Sequence, residues 1–484
     1  MSTSRRDFLV AAGAGLAALA LPGRSRALSR FASATAPSGF ASFVSEPSLK
    51  PPTIAVTTLG SPAPGYVFAS ALNGPGQCGP IMFDDHGNVV WFRKINGFAA
   101  NFRTQVYAGK PVLTWWEGTV NPAGYGVGEG VIADSTYKTV ARVTGGNGLQ
   151  PDVHELLLTP EGTALVTVYN LTQTDLTPVG GAARGNVLDS IVQEIDVKTG
   201  RVLLEWHSLD HVPLTDTYSA VLDPFDYFHV NSIDVDPLDG NLLVSARNTS
   251  AVYKLDRRSG AVLWTLGGRR SDFELGPGAT FMLQHDARGH TDGTLTLYDD
   301  GPVPASSALP DSRAIRLGLD IAGKRADLLQ AYHHPQPLKS AAMGNAQSLP
   351  GDAVFVGWGT EPYLTEFGPG GDVRFDATFV GGGWNYRGFR SPWTGRPAAR
   401  PAVAAVGAGK QVKVYASWNG STETAFWRIS AGESRGSLAP VKVVPRVGFE
   451  TVATVAGRSA FFSVTALDSG RRELATSRTV AVRR

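Results

Sequence analysis

The sequence predicts an all-β fold built from many short strands, and three observations support this prediction. Glycine and proline are abundant, with 56 and 31 copies among 484 residues. Apolar and polar residues alternate in short runs bounded by Gly, Asn and Asp, a pattern typical of strands joined by tight turns rather than of long helices. The third observation is an internal repeat, which indicates how the strands are arranged.

One strand–turn–strand unit recurs along the chain. A strand leads to an Asp or Gly turn, and a second strand follows that ends on a large side chain, as in VQEIDVKTGRVLLEW (192–206) and VYKLDRRSGAVLWTL (252–266). Further copies lie at 82–92, 131–143, 315–332 and 363–379. A more apolar strand precedes each copy, so a set supplies about four strands. About six sets, spaced by roughly forty to seventy residues, predict a six-bladed β-propeller over residues 45–398.

The composition changes near Arg396. The stretch SPWTGRPAARPAVAAV is rich in Pro, Ala and Gly, which is typical of a linker or of a strand that closes the preceding domain. Beyond it, apolar and polar residues alternate around Gly and Asn turns. Residues 399–484 are therefore predicted to form a small β-sandwich of fibronectin type III or immunoglobulin-like form.

The first residues have the pattern of an export signal. Arg5 and Arg6 precede Asp-Phe-Leu and an Ala- and Gly-rich apolar run that is too short to span a bilayer comfortably. This pattern predicts a twin-arginine signal peptide over residues 1–35 and a secreted or extracytoplasmic protein. A retained anchor or a chance basic N-terminus is the alternative. Cys78 is the single cysteine, so an internal disulfide is excluded.

Charge and motifs limit the classes of function. The formal net charge is +2 and charged residues make up 18% of the chain, which argues against a nucleic-acid partner. The sequence contains no CxxC pair and no phosphate-binding loop of the GxxxxGK[ST] form. The sequence therefore predicts no nucleic-acid partner, and no cofactor is predicted either.

Three histidines occupy equivalent positions in successive units. His154, His229 and His285 each lie at the start of the strand that would line the central channel of a propeller. The next unit has Asn345 or Gln347 at this position, and the second unit has Arg103 and Gln105. Side chains at the mouth of such a channel converge from different blades, and neighbouring imidazoles indicate a reactive site more than a structural one.

Two arginines favour an anionic ligand. Arg247 ends a strand of the fourth unit, and Arg313 begins a later strand of the fifth. A guanidinium group binds phosphate, sulfate or carboxylate in a bidentate manner, although both arginines could instead pair with carboxylates on neighbouring blades. Three imidazoles could also hold zinc or copper. His154, His229 and His285 are not spaced as HxH or HxxxH, and the arginines would repel a cation, so no metal is predicted.

Four sequence strings together carry a resemblance to a known family. They are DVHELLLTPEGTALVTVYN, FHVNS, SARNTSAVYKLD and QHDA. The chain resembles the arylsulfotransferase family, most closely its actinobacterial and fungal branch, across roughly residues 45 to 395. The resemblance implies a six-bladed propeller that moves a sulfuryl group from an aryl sulfate to a phenol without a nucleotide sulfate donor.

The resemblance also implies roles for particular residues. His229 and His285 match histidines that surround the transferred sulfuryl group, and Arg313 matches an arginine that stabilises its charge. The implied reaction is a double displacement through an N-sulfonated histidine. The remaining predicted contacts are with the aromatic or phenolic substrate, and they are assigned to His154, Arg247, Arg103, Asn345 and Trp358. Trp115 and Trp116 are further candidates for stacking on a phenyl ring, and core packing explains all three tryptophans equally well.

The sequence departs from the family pattern at one position. The family's nucleophilic histidine belongs to a later blade, where this chain has MGNAQSLPG with Asn345 and Gln347. An amide cannot form the covalent intermediate. His333 or His334 could serve instead, or His229 or His285 could take the role. The remaining alternative is a propeller that binds a ligand or partner without catalysis.

Overall fold

The computed structural model describes residues 39–301 and 311–483, and the strands within these ranges form eight sheets. The predicted signal peptide, residues 1–35, lies outside the described residues. The helical segments in the described ranges are short: Ser208–His211, Thr177–Val179 and Leu214–Asp216. None of the described helices has the length and apolar character needed to cross a membrane. The prediction of an all-β fold is confirmed.

Six of the eight sheets lie between residues 54 and 391, with four or five strands each, and they are numbered from the one that contains Tyr66. The strands of each sheet are given from the inner edge outwards. Sheet 1 consists of Phe389–Ser391, Tyr66–Ala71, Gly79–Phe83 and Val89–Phe92, sheet 2 of Phe98–Tyr107, Lys110–Val120, Gly126–Ala133 and Thr139–Val143, and sheet 3 of Leu156–Leu158, Thr163–Thr174, Gly185–Asp196 and Val202–His207. Sheet 4 consists of Val230–Val235, Leu242–Ala246, Ala251–Leu255 and Val262–Gly267, sheet 5 of His285–Gly289, Thr294–Asp299, Arg313–Asp320, Arg325–Tyr332 and Glu274–Leu275, and sheet 6 of Asn345–Leu349, Ala353–Gly357, Tyr363–Phe367, Val373–Phe379 and Ile54–Leu59.

The six sheets follow one another around a closed ring. Each sheet contacts the inner strand of the next sheet in chain order, and sheet 6 contacts the inner strand of sheet 1. That last strand, Phe389–Ser391, comes from the end of the ring-forming segment and pairs with Tyr66–Ala71. The two ends of the segment are therefore joined within one sheet, which leaves no open edge between sheet 6 and sheet 1.

Each pair of neighbouring sheets is sealed by a separate apolar cluster. A sheet in this arrangement has both faces covered, which explains why strands such as GPIMF and VVWF are buried along their whole length. The clusters follow the ring in order, represented by Phe68 with Phe102, Ile132 with Val166, Leu165 with Val244, Val252 with Leu297, Ala314 with Val354, and Phe355 with Ile81.

The repeated turns form for a local reason. In both DVKTG and DRRSG the aspartate oxygen accepts backbone hydrogen bonds, from Thr199 N to Asp196 at 2.8 Å and from Ser259 N to Asp256 at 2.7 Å. Gly200 and Gly260 end these turns with φ near 72° and 75°, a region that favours glycine.

The last two sheets pack face to face around Trp427 and Phe462. Their strands are Ala402–Ala408, Gln411–Ser417 and Glu450–Ala456 in one, and Ser437–Pro445, Phe426–Ser434, Phe461–Leu467, Glu473–Thr476 and Val480–Ala481 in the other. This unit touches the outer strand of sheet 1, where the Asn419 side chain accepts from Phe92 N at 3.0 Å and donates to Phe92 O at 2.9 Å.

Candidate functional site

The structure brings the three predicted histidines together. His154 lies two residues before the inner strand of sheet 3, His229 lies directly before that of sheet 4, and His285 is the first residue of that of sheet 5. The ring centroids of His154 and His229 are 4.9 Å apart, and those of His154 and His285 are 6.3 Å apart. These three residues are called the histidine cluster below.

The backbone at the cluster is irregular. His229 has a φ of 58°, and the pairing of its strand shifts register between Val230 and Ser232. Asp286, directly after His285, has a φ of 57° beside a similar shift. A residue other than glycine rarely adopts this conformation, and such strain is concentrated at functional sites. β-Bulges re-aim side chains in this way.

Carboxylates fix the orientation of two of the imidazoles. His229 Nδ1 donates to Asp226 Oδ2 at 2.5 Å, and His154 Nδ1 forms a short hydrogen bond with Asp152 Oδ2. Because Nδ1 carries the proton in each ring, the neutral ring has its lone pair on Nε2. Among the described residues, neither Nε2 atom has a hydrogen-bond partner. Each of these rings therefore presents a free nucleophilic nitrogen that is backed by a carboxylate.

His285 is held differently. Its Nδ1 donates to the carbonyl oxygen of Gly344 at 2.7 Å, which leaves Nε2 as an acceptor. The Tyr386 hydroxyl lies 3.2 Å from this Nε2 and 3.0 Å from the His154 carbonyl oxygen, so its single proton is shared between the two acceptors. Both nitrogens of His285 are thus engaged, unlike those of His229.

Burial keeps two members of the cluster uncharged. Burial lowers the pKa of His229 below its ordinary value, although the Asp226 carboxylate opposes this effect. Burial lowers the pKa of His285 further, and the nearby positive charge of Arg387 adds to the effect. A neutral imidazole is the nucleophilic form, so both rings are in that form at pH 7.

The buried state of His285 predicts a pH-dependent stability. The folded state binds the His285 proton less well than the unfolded state, so this group favours unfolding as the pH falls below about 6.5. We expect the unfolding free energy of the wild type, relative to His285→Asn, to fall by about 1.4 kcal/mol per pH unit from there towards the folded pKa. Urea unfolding of both proteins at several pH values measures this, and a pH-independent difference would contradict it.

Arg247 supplies a positive charge beside His229. Its backbone N–H donates to the His229 carbonyl oxygen at 2.9 Å, and its Nη2 donates to the Ala341 carbonyl oxygen at 3.0 Å. No carboxylate among the described residues pairs with this guanidinium, and its buried Nε has no partner there. The buried acid nearby, Asp300, has its pKa raised well above the usual value by burial, against the effect of Arg247. Burial therefore favours the neutral form of Asp300 over the carboxylate that would offset the Arg247 charge.

Arg103 belongs to a buried ionic network below the histidine cluster. Its Nη2 lies 2.8 Å from Glu155, which also lies 2.5 Å from Arg288 and 3.0 Å from Arg387. Asp286 pairs with the last two arginines, at 2.6 Å and 3.1 Å. The guanidinium of Arg103 is therefore occupied by the protein, and the structure does not bring it to the three imidazoles.

The sequence analysis missed Tyr386 and Arg387. Both follow sheet 6 in the chain, and Tyr386 completes a triangle with His154 and His285, with ring centroids 6.1 Å and 5.3 Å away. A repeated pair of residues in the sequence could have revealed them. In VHELL, QHDAR and NYRGF, a ring-bearing residue (His154, His285 or Tyr386) is followed directly by a residue of the buried ionic network (Glu155, Asp286 or Arg387). Asp152 and Asp226 were also missed, although each lies two or three residues before its histidine.

Other predicted residues lie elsewhere, for clear physical reasons. Arg313 Nε pairs with Asp299 at 3.0 Å and its Nη2 donates to two carbonyl oxygens, so the alternative of structural pairing describes it. Asn345 Nδ2 donates to the Gly388 carbonyl oxygen at 2.8 Å, and Asn345 Oδ1 accepts from Gly388 N at 2.8 Å. These two hydrogen bonds join sheet 6 to the segment that leads into the inner strand of sheet 1. Neither side chain contacts the histidine cluster within the described ranges.

The three tryptophans are core residues. Trp115, Trp116 and Trp358 are fully buried. The indole N–H of Trp115 donates to Glu117, that of Trp116 to the Pro151 carbonyl oxygen, and that of Trp358 to the Thr365 hydroxyl. The position of Trp358 therefore does not support the prediction that it contacts substrate, because its whole indole ring is packed inside the core.

Neither histidine of the His333-His334 pair joins the cluster. His333 is exposed. His334 is buried between Trp358 and Tyr363, and its ring nitrogens lie 3.0 Å from the Gln336 carbonyl oxygen and 3.3 Å from Asp376. Across residues 39–301 and 311–483, no three His, Cys, Asp or Glu side chains are grouped so as to hold a metal ion.

Comparisons with known proteins give one family. The profile of the arylsulfotransferase (ASST) family matches residues 103–380, which is more than half of the chain. No curated protein matches the sequence.

Likenesses to solved structures are distant. A protein of unknown function from Bacteroides caccae is 12% identical with a TM-score of 0.42, covering 67% of this chain and 98% of its own. The extracellular domain of a putative one-component system from B. thetaiotaomicron is 10% identical with a TM-score of 0.34, covering 84% and 61%. A β-propeller domain of Cps50 (Swd1) from Myceliophteria thermophila is 10% identical with a TM-score of 0.24, covering 60% and 82%. Likenesses at this level carry no information about function.

Proposed function

Because the chain belongs to the arylsulfotransferase family, we propose that it transfers a sulfuryl group from an aryl sulfate to a phenolic acceptor through an N-sulfonated histidine. The observation that carries this proposal is the state of His229. Its Nδ1 is held by Asp226, its Nε2 is free, and the unpaired Arg247 lies beside it. We assign His229 as the nucleophile.

The first half-reaction forms the covalent intermediate. The lone pair of His229 Nε2 bonds to sulfur while the aryl oxygen–sulfur bond breaks, and the phenolate that leaves takes a proton from solvent. Asp226 stabilises the positive charge that develops on His229 because its carboxylate accepts the hydrogen bond from Nδ1–H. Arg247 stabilises the negative charge on the sulfuryl oxygens, and the buried site strengthens this interaction.

The second half-reaction reverses the first with a new phenol. The acceptor oxygen bonds to sulfur, its proton passes to His154 Nε2 and from there to solvent, and the nitrogen–sulfur bond breaks to restore His229. Asp152 holds His154 in the tautomer that this step requires. Atoms, electrons and protons balance over the cycle without a cofactor.

The finer features of the fold are part of the same proposal. We assign residues 45–398 to a six-bladed β-propeller with sheets 1 to 6 as blades, and residues 399–484 to a fibronectin type III-like sandwich. The closed ring of sheets and the two facing sheets support these assignments. The arginine pair near the N-terminus supports export by the twin-arginine route, with residues 1–35 as the signal peptide.

We expect the purified protein to release the chromophore of a chromogenic aryl sulfate at a rate that rises with phenol concentration and then saturates. Double displacement gives ping-pong kinetics, because the acceptor reacts with an enzyme that already carries the sulfuryl group. Mass spectrometry without acceptor should show the mass of one SO₃ on the peptide that contains His229. Absence of phenol-dependent release in the wild type would leave a ligand-binding propeller instead.

A further inference from the structure

A turn from sheet 2 lies over the histidine cluster. Residues 121–125 join two strands of that sheet and are called the hairpin tip. The tip is ordered by its own hydrogen bonds, from Ala123 N to Asn121 Oδ1 at 2.9 Å and from Asn121 N to the Tyr125 carbonyl oxygen at 3.0 Å. A Cβ atom on Gly124, which has a φ of 94°, would lie 3.9 Å from His229 Cε1. The tip therefore reaches from sheet 2 to the reactive edge of an imidazole on sheet 4.

The hairpin tip is also tied to the second histidine. Gly126 N, directly after the tip, donates to Asp152 Oδ1 at 2.5 Å. The other oxygen of the same carboxylate holds His154 Nδ1 and its backbone N–H. One carboxylate thus fixes both the imidazole and the turn above it, so the position of the tip is set relative to the reacting atoms.

The hairpin tip carries Tyr125, whose ring belongs to a row of aromatic rings that leads to the histidine cluster. Tyr125 stacks on Tyr169, with centroids 5.3 Å apart and planes 6° apart. The Tyr169 ring lies 5.5 Å from both His154 and His229, and its hydroxyl donates to the Val230 carbonyl oxygen at 2.8 Å. Both tyrosines are partly exposed, whereas the three predicted tryptophans are buried. Tyr169 and Tyr125 together are called the aromatic wall; Tyr169 contacts His229, and Tyr125 stacks on Tyr169.

From this arrangement we infer that Tyr125 and Tyr169 bind the aromatic ring of the substrate and set a preference for aryl over alkyl sulfate esters. This inference rests on the proposed function. A flat ring gains from contact with Tyr125 beyond the area that it buries, and a saturated ring of similar size lacks that gain. Burial raises the pKa of Tyr169 well above its usual value, so its hydroxyl stays protonated and keeps its bond to Val230.

The test uses ligands that cannot be turned over. Naphthalenesulfonate and decahydronaphthalenesulfonate have the same number of ring carbons and carry the same anionic group on a carbon–sulfur bond, which sulfuryl transfer to His229 does not break. Calorimetric titration with the wild type should show tighter binding of naphthalenesulfonate. We expect Tyr125→Ala to weaken naphthalenesulfonate binding about tenfold and decahydronaphthalenesulfonate binding less than about twofold.

Two variants act as controls. Tyr125→Phe should bind naphthalenesulfonate like the wild type, because it keeps the ring. Tyr107→Ala removes a partly buried tyrosine at the opposite end of sheet 2 and should leave both affinities unchanged. Equal weakening of both ligands by Tyr125→Ala, or no weakening of either, overturns the inference.

The outcomes separate this inference from the proposed function. Binding with the expected aryl preference in a protein that shows no phenol-dependent turnover supports the aromatic wall and rejects the reaction. Turnover in Tyr125→Ala with unchanged selectivity between aryl and alkyl sulfates rejects the wall and leaves the reaction standing.

Discussion

Replacement of His229 by asparagine is expected to lower kcat for phenol-dependent aryl sulfate cleavage by roughly four to six orders of magnitude, as for other covalent nucleophiles. Asparagine can still donate to Asp226, but its amide cannot bond to sulfur. The same change should abolish the SO₃ adduct in the mass spectrum. Chromophore release and intact-protein mass, measured side by side, check both expectations.

Two further variants make this result specific. Asp226→Asn should lower kcat by about 10²-fold while leaving the nucleophile in place, because the amide no longer fixes the Nδ1–H tautomer. His333→Ala removes an exposed histidine that the sequence left as an alternative nucleophile, and we expect its activity to match the wild type. Loss of the adduct in His333→Ala, with its retention in His229→Asn, would reverse the assignment.

Removal of the Glu155 charge is expected to have the largest effect on stability. Burial alone raises the pKa of this carboxyl, and Arg288, Arg387 and Arg103 more than reverse that effect, holding it at about 2. Glu155→Gln would leave three buried guanidinium groups with one carboxylate fewer. Removing one partner of a buried ion pair costs about 3–5 kcal/mol, and we expect Glu155→Gln to lower the unfolding free energy by about this amount.

A surface carboxylate provides the matched control. Glu274 pairs with Arg325 at 3.1 Å, but its side chain is 77% exposed. Because water and salt screen such a pair, Glu274→Gln should change stability by less than about 1 kcal/mol. Urea unfolding of both variants makes the comparison, and recovery of Glu155→Gln only as aggregate would agree with severe destabilisation. Equal stability of the two variants would show that the buried network contributes no more than a surface pair.

Local patterns were sufficient to predict most of the strands. The DVKTG and DRRSG turns form because an aspartate accepts backbone N–H groups within a few residues and a glycine tolerates positive φ. Such contacts depend on neighbours in sequence alone. The same is true of the recurring positions of His154, His229 and His285 at the start of inner strands, which led to the expectation that they meet.

The roles of individual polar side chains could not be predicted in the same way. Arg313, Asn345 and Arg103 were expected at the site, yet each is engaged by a distant partner: Asp299, Gly388 and Glu155. A sequence pattern shows where such a side chain lies along a strand. It does not show which buried donor or acceptor takes up its hydrogen bonds, because burial forces each group to find a partner anywhere in space.

By itself, the sequence determined the all-β class, the repeated turns and the family, because these depend on local spacing and on strings of residues. Only the tertiary structure decided that Phe389–Ser391 closes sheet 1, that Tyr386 joins the histidines and that Tyr125 stacks on Tyr169 while Trp358 is buried. These contacts join residues up to hundreds of positions apart. They exist because closing the ring brings the inner strands to a common axis, a condition that no single stretch of sequence contains.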